Sequence, residues 1–259
     1  RASEAGIKYF VLGALASGIL LYGISLIYGY AASTNFKVIA SNLSGLEHLP
    51  MGVIVGLVLV LVGLCFKLSA APFHMWAPDV YEGVPTPVTA FFAIVPKLAA
   101  AAVLTRICVT AFGKFQADWQ QIIIIISVIS MLVGAFAGLW QKNIKRLLAY
   151  SGIGHIGYAL VGVAAMGQAG ASAILTYFVI YILNSIAVFA VIMSVTAKDK
   201  TIDGGIEKIS HFAGLYKTNP KLAMIFTAML LSLIGLPLPP FAGFWGKFYV
   251  FSAAIDQEL

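Results

Sequence analysis

Along the chain, long apolar runs alternate with short polar breaks, and the length of the runs decides the fold class. The pattern predicts helices at about 5–30, 51–70, 87–112, 121–140, 146–166, 171–197 and 220–236, with a further piece at 240–254. The breaks between them fall at 32–49, 77–86, 113–120, 141–145, 167–170 and 198–219. An apolar run of about 20 residues crosses roughly 30 Å of hydrocarbon. Backbone groups in lipid must find partners within their own segment. The reading is therefore an all-α integral membrane protein, one bundle of about seven helices over residues 1–259.

Composition agrees. Of 259 residues, 61% are hydrophobic and 10% charged, where a soluble domain carries roughly 25% charged residues. The chain starts at Arg1 and not at Met, and it stops just after an apolar stretch, so it reads as a piece of a longer protein. The net charge of +6 does not point to nucleic acid, because no basic run interleaved with aromatics is present. If each run is one crossing, one side collects Arg1, Lys8, Lys142, Lys145, Arg146, Lys198, Lys200, Lys208, Lys217 and Lys221, and the other Lys37, Arg106 and Lys114. Ten against three places the first side in the cytoplasm or matrix. Cys65 and Cys108 lie inside apolar runs with no second cysteine near, and read as packed thiols.

Two runs are interrupted. KLSAAPFHMWAP carries Pro72 near the end of one run. In IGLPLPPFAGFWGKFYV, Pro237, Pro239 and Pro240 stand among Gly235, Gly243 and Gly246. Proline removes a helical hydrogen bond at a cost of about 3 kcal/mol or more, and such a break survives in a membrane only where protein or water meets the freed carbonyls. Paired interruptions are a mark of transporters built from inverted repeats. The longest polar break, 198–219, reads as a surface connection with room for a short amphipathic helix.

Three lysines, Lys67, Lys97 and Lys247, stand within or beside apolar runs, and no Asp or Glu does. Lys97 is about ten residues from each end of its run, hence near mid-membrane. A central lysine costs roughly 2.5–3.5 kcal/mol on insertion scales, which demands a partner, water, or loss of the proton. Lys67 and Lys247 flank the two breaks, where freed carbonyls suit a cation. His155 lies about ten residues into its run and is a natural proton relay. The alternatives are lysines that snorkel to an interface and a neutral histidine bonded to a neighbouring helix. GIGHIG, Gly152 to Gly157, matches the dinucleotide fingerprint in letters only. It lies within an apolar helix, with no strand before it and no acid about 20 residues on, so it reads as a helix-packing stripe.

Three stretches together, FKLSAAPFHMWAPDVYEGVPTPVTAFFAIVPKLAA, QKNIKRLLAYSGIGHIGY and LSLIGLPLPPFAGFWGKFYVF, closely resemble the antiporter-like subunit N family of proton-pumping NADH:quinone oxidoreductase, respiratory complex I. The resemblance extends from Ala2 to about Ser252. It implies two inverted five-helix repeats, with about 1–112 from the first and about 120–259 from the second, each holding one discontinuous helix. It maps the family's proton path onto Lys67, Lys97, His155 and Lys247, with Lys67 paired to a glutamate upstream of Arg1. In that scheme protons enter near Lys67, pass Lys97 and His155, and leave from Lys247. The resemblance further implies NADH, FMN, iron–sulfur clusters and quinone in other subunits and none in this chain. Expected partners are the other complex I membrane subunits, including neighbouring antiporter-like ones, lipids and H+. The expected location is a bacterial plasma membrane, with the mitochondrial inner membrane as alternative. Two other readings stay open: a subunit of a multi-subunit Na+/H+ antiporter or membrane-bound hydrogenase, and a non-pumping structural brace.

Overall fold

A computed structural model describes residues 2–165, 167–198, 208–238 and 241–259. Arg1, Lys200, Pro239, Pro240 and the side chain of Lys198, all used in the sequence reading, lie outside what is described. Among the described residues there is no strand, and the helices run in the order α1 (Ala2–Ala31), α2 (Phe36–Leu43), α3 (Met51–Leu68), α4 (Trp76–Gly83), α5 (Thr86–Arg106), α6 (Gln116–Leu139), α7 (Ile144–Ala164), α8 (Gly167–Lys198), α9 (Leu215–Thr218), α10 (Pro220–Ile234) and α11 (Ala242–Ile255). Among the described residues, six segments are long and apolar enough to cross a membrane. At 15 and 14 residues, α10 and α11 are each too short to cross alone.

The apolar pattern located every long helix, and the differences lie in the breaks. α2 and α4 occupy stretches expected to be irregular. Both are eight residues long and too polar for an apolar-run criterion. α5 continues into a π turn, Ile107–Ala111, closed by the Phe112 amide bonding the Ile107 carbonyl at 3.0 Å. The described part of the long connection holds a 3-10 turn at Ile209–Phe212 and the single turn α9.

Helices approach closely where glycines line up. α1 packs along α3 and α6 along α7. A Cβ on Gly23 of α1 would stand 2.6 Å from the Gly56 carbonyl oxygen, and one on Gly134 of α6 would stand 2.5 Å from the Gly154 amide nitrogen. The stripe in GIGHIG is thus a packing seam on its Gly154 and Gly157 side, as small residues in membrane helices often are. Ser127 of α6 adds a hydrogen bond to the Gly157 carbonyl at 2.7 Å.

The two interrupted runs end alike. At the end of α3, Ser69 is left-handed (φ 58°), its amide bonds the Phe66 carbonyl and the Ala70 amide bonds the Cys65 carbonyl. At the end of α10, Gly235 is left-handed (φ 84°), its amide bonds the Ser232 carbonyl and the Leu236 amide bonds the Leu231 carbonyl. Both are Schellman caps. Each break also rests on a serine: the Ala71 amide donates to Ser130 Oγ at 2.9 Å, and the Gly243 amide to Ser232 Oγ at 3.2 Å. The Ala71–Pro72 peptide is cis.

Beyond the first break, Trp76 fixes the start of α4. Its Nε1–H donates to the Phe66 carbonyl at 2.9 Å, and its ring lies 5.1 Å from Tyr9, 5.7 Å from Phe66 and 6.4 Å from Phe92. Offset and edge contacts of this kind add roughly 0.5–1.5 kcal/mol each beyond area burial, so α4 is held against α1, α3 and α5.

The glycine seams lead to a stability prediction. Gly134→Val meets immovable backbone and is expected to destabilise by about 1–3 kcal/mol or more, whereas Gly13→Ala, with nothing within 4 Å of the added Cβ in a helix interior, does not destabilise. Thermal unfolding of the detergent-purified protein compares the two directly. Equal melting of both variants would contradict the seam.

Candidate functional site

Lys97 follows Pro96 in the middle of α5. Pro96 has no N–H, so the Phe92 carbonyl loses its helical donor and the helix is loosened at this turn. The next carbonyl, Ala93, accepts the Tyr181 hydroxyl at 3.4 Å. The Lys97 side chain is 1% exposed, and its Nζ makes no hydrogen bond to the described residues. Nζ stands 5.7 Å from the centroid of the Tyr81 ring of α4. On the α7 side it faces Gly152. A Cβ there would lie 2.6 Å from Nζ and 3.3 Å from the Tyr181 hydroxyl, so the missing side chain leaves one small space that both groups share.

His155 is one turn beyond Gly152 on the same face of α7 and is 8% exposed. Its Nδ1 lies 2.6 Å from the Tyr177 hydroxyl, and its ring is 5.1 Å from that of Tyr181. Tyr177 and Tyr181 are one turn apart on α8, both buried. Lys97, Tyr181, His155 and Tyr177 thus form a continuous buried set of groups. Ammonium and hydroxyl both donate, and hydroxyl and neutral imidazole both also accept. Within the set a hydrogen bond joins His155 to Tyr177, while Tyr181 meets His155 by ring contact and Lys97 across the Gly152 space.

Lys247, half-buried on α11, donates to the Ile234 carbonyl at 2.8 Å, in the last turn of α10. Its Nζ is 4.4 Å from the centroid of Tyr158, which is one turn beyond His155. A cavity of about 10 Å³, roughly the space of one water, lies among His155, Tyr177, Tyr181, Asn184, Ser232 and Lys247. Asn184 closes it by donating to Ser232 Oγ at 3.0 Å. A wider cleft of about 590 Å³ opens from His155 and Lys247 towards Gln141, Leu147 and Ile209.

Lys67 is placed differently. It is half-buried in the last turn of α3, two residues before Ser69, with no hydrogen bond or ion pair among the described residues. Of the four residues singled out from the sequence, the structure groups Lys97, His155 and Lys247 and leaves Lys67 apart. The sequence reading missed Tyr81, Tyr177, Tyr181, Asn184 and Ser232. A signal existed for three of them: Tyr177, Tyr181 and Asn184 recur at helical spacing inside an apolar run, and so trace a polar stripe. His74 is half-buried between α3 and α4. Cys65 and Cys108 are free and buried, and no His, Cys, Asp or Glu cluster suited to a metal occurs among the described residues.

A second polar group lies at the end of the bundle where α1 and α7 begin. Arg146 donates from one guanidinium nitrogen to Asp79 Oδ1 at 2.7 Å and Glu82 Oε2 at 3.1 Å, and from Nε to Gln141 Oε1 at 3.2 Å. Lys8 holds the other oxygen of Asp79 at 2.8 Å and Glu4 at 2.8 Å. The Lys145 Nζ donates to the Val84 carbonyl at 3.0 Å. APDVYEG and QKNIKR, distant in sequence, meet here. At the other end, Lys114 bonds the Ser44 and Leu46 carbonyls, and Arg106 lies over Phe36.

A bundle of membrane-crossing helices with two capped interruptions and buried lysines matches one family model, NADH:quinone oxidoreductase/Mrp antiporter, over residues 1–259, and the chain belongs to this family. It is 52% identical over 263 residues to NADH-quinone oxidoreductase subunit N of Paramagnetospirillum magneticum, covering 100% of this chain and 53% of that protein. It is 53% identical over 259 residues to subunit N of Beijerinckia indica, again covering 100% and 53%. The chain spans about half the length of the curated relatives it matches. Among solved structures, a chain of respiratory complex I from Thermus thermophilus with bound aureothin superposes at TM-score 0.81 with 38% identity, over 99% of this chain and 53% of that one. A chain of the Mrp complex from Dietzia superposes at 0.86 with 29% identity, over 99% and 46%.

The charge group has a defined response to acid. The Lys8 hydrogen bond, against some burial and helped by Arg146, holds the Asp79 carboxyl below the usual carboxylate range. A carboxylate lowered on folding contributes stability that is complete above its ordinary value near 3.9 and is lost as pH falls through the folded value. Melting of the wild-type protein is therefore unchanged by this group between about pH 7 and about pH 5 and falls below about pH 4. Asp79→Asn has a smaller acid-induced loss, and an equal loss in both proteins would refute the assignment.

Proposed function

We propose that the chain is part of a proton-translocating membrane-arm subunit of the complex I type, equivalent to subunit N, and that it moves protons along buried groups while electron transfer occurs elsewhere in the complex. The observation that carries this reading is Lys97: a fully buried ammonium without a hydrogen bond among the described residues, next to His155 through Tyr181 and towards Lys247 through a water-sized cavity. A structural brace has no need for a mid-membrane lysine that costs about 2.5–3.5 kcal/mol on insertion scales.

In this reading Lys97, Tyr181, His155 and Tyr177 form the central segment, and Lys247 a terminal station. Lys67 is a separate station at the first break, which exchanges protons with Lys97 through water. The identity to subunit N relatives, 52–53% against 29% for the Mrp chain, favours complex I over an antiporter assembly. The similar capped ends at Ser69 and Gly235 support two related repeats, one holding α1 to α5 and one beginning at α6. By charge asymmetry, the end with Lys8, Lys145, Arg146 and Lys208 faces the cytoplasm of a bacterial plasma membrane. Neighbouring antiporter-like subunits and lipid would cover the apolar exterior.

The test is proton pumping by the assembled complex in vesicles with Lys97→Met, measured beside NADH oxidation. The expected result is normal assembly with pumping reduced at least about tenfold, which corresponds to about 1.4 kcal/mol. Pumping and coupled turnover at wild-type level in this variant would remove Lys97 from the path and favour a bracing role.

A further inference from the structure

We propose that Tyr81 is a further residue of the proton path, its ring face receiving the Lys97 ammonium, and that Arg146 is the positioning residue that holds it there through Asp79 and Glu82. The inference rests on the proton-path reading of Lys97.

α4 is two turns long, about 12 Å, and stands between the first break and the extended Val84–Pro85 link. So short a helix takes its orientation from what grips it. At its start Trp76 is bonded to the Phe66 carbonyl. Arg146 of α7 reaches Asp79 and Glu82, Lys8 of α1 takes the second oxygen of Asp79, and Lys145 takes the Val84 carbonyl at its end. Thr89 adds a hydrogen bond to the Tyr81 carbonyl at 3.1 Å. Asp79 and Glu82 are partly exposed, whereas Tyr81 is fully buried, so the clamp fixes the outer face of α4 and thereby aims the inner one. Exposed ion pairs add little to stability. Their convergence on one short helix points to placement as their effect.

What is placed is an aromatic face at 5.7 Å from Nζ, within cation–π range. Among the described residues no carboxylate pairs with Lys97, and neither its Nζ nor the Tyr81 hydroxyl has a hydrogen-bond partner. A proton-cycling lysine needs something that favours its charged form without trapping it. A buried counter-ion would hold the proton strongly, and a ring quadrupole does so more weakly. Arg146 also sits at the start of the helix that carries Gly152, the opposite wall of the Lys97 space. One guanidinium therefore ties the two walls together.

The experiment uses the full-length subunit in its assembled complex, with pumping measured in vesicles. Tyr81→Leu is expected to lower the pumping rate about tenfold, the scale of a desolvated cation–π contact, while Tyr81→Phe retains it because the ring remains. Arg146→Gln lowers pumping several-fold and Arg146→Lys recovers most of it. The double variant Tyr81→Leu with Arg146→Gln pumps no worse than Tyr81→Leu alone, as two changes acting through one contact must. If Tyr81→Leu blocks assembly, the Arg146 pair decides. Wild-type pumping in Arg146→Gln, or in an assembled Tyr81→Leu, overturns the proposal, as do additive losses in the double variant. Failure of the inference alone is recognised when Lys97→Met abolishes pumping and the Tyr81 and Arg146 variants do not. If Lys97→Met itself pumps normally, the underlying reading fails first.

Discussion

The structure is arranged around one energetic problem, a lysine ammonium at the centre of a hydrocarbon-embedded bundle. Lipid offers Lys97 neither water nor a counter-ion, so whatever surrounds its side chain must come from neighbouring helices. Pro96 loosens α5 beside it, Gly152 of α7 makes room by having no side chain, Tyr81 of α4 presents a ring, and Tyr181 of α8 presents a hydroxyl. α4 adjoins α5 and α7 adjoins α8, but the two pairs come from distant parts of the chain. Close packing of α6 on α7 through Gly134 and Gly154 then keeps α7 in place.

The interruptions solve a second problem, the backbone, and in doing so they separate two kinds of lysine. Both breaks satisfy most freed groups with a Schellman cap and a serine. At the second break the remaining Ile234 carbonyl is taken by Lys247. At the first, the equivalent Leu68 carbonyl is taken by the Ser69 hydroxyl, so Lys67 is not used as a cap. A lysine held by a carbonyl is anchored, whereas one beside an already satisfied break is free to choose another partner. The two breaks look alike in sequence yet place their lysines differently.

Most of the fold was legible from the apolar runs, because helix length and hydrocarbon thickness leave little choice once a segment of about 20 apolar residues is present. α4 was not, since Pro78, Asp79 and Glu82 make it read as a polar turn, and only the grip of Trp76, Arg146 and Lys8 makes those residues a helix with a defined inner face. The site was legible as a list of costly residues. Lys97, Lys247 and His155 stand out because charge and imidazole are rare in apolar runs. Tyr177, Tyr181 and Tyr81 did not stand out, because a tyrosine in an apolar helix is ordinary until its hydroxyl is seen beside an imidazole or its ring beneath an ammonium.

The amino-acid sequence by itself determined that the chain crosses a membrane, which end is the more positive, where helices break, and which buried groups need an explanation. All of these follow from properties of single segments: transfer energy, charge count and the missing amide of proline. Tertiary structure alone decided which buried groups meet. Lys97 comes next to His155 through Tyr181 and Gly152, Lys247 turns to Ile234, and Asp79 and Glu82 of APDVYEG close on Arg146, 67 and 64 residues later in the chain. The reason is that contact across helices depends on rotation and separation, which are set by glycine seams and ion pairs between distant segments, and no local pattern records them.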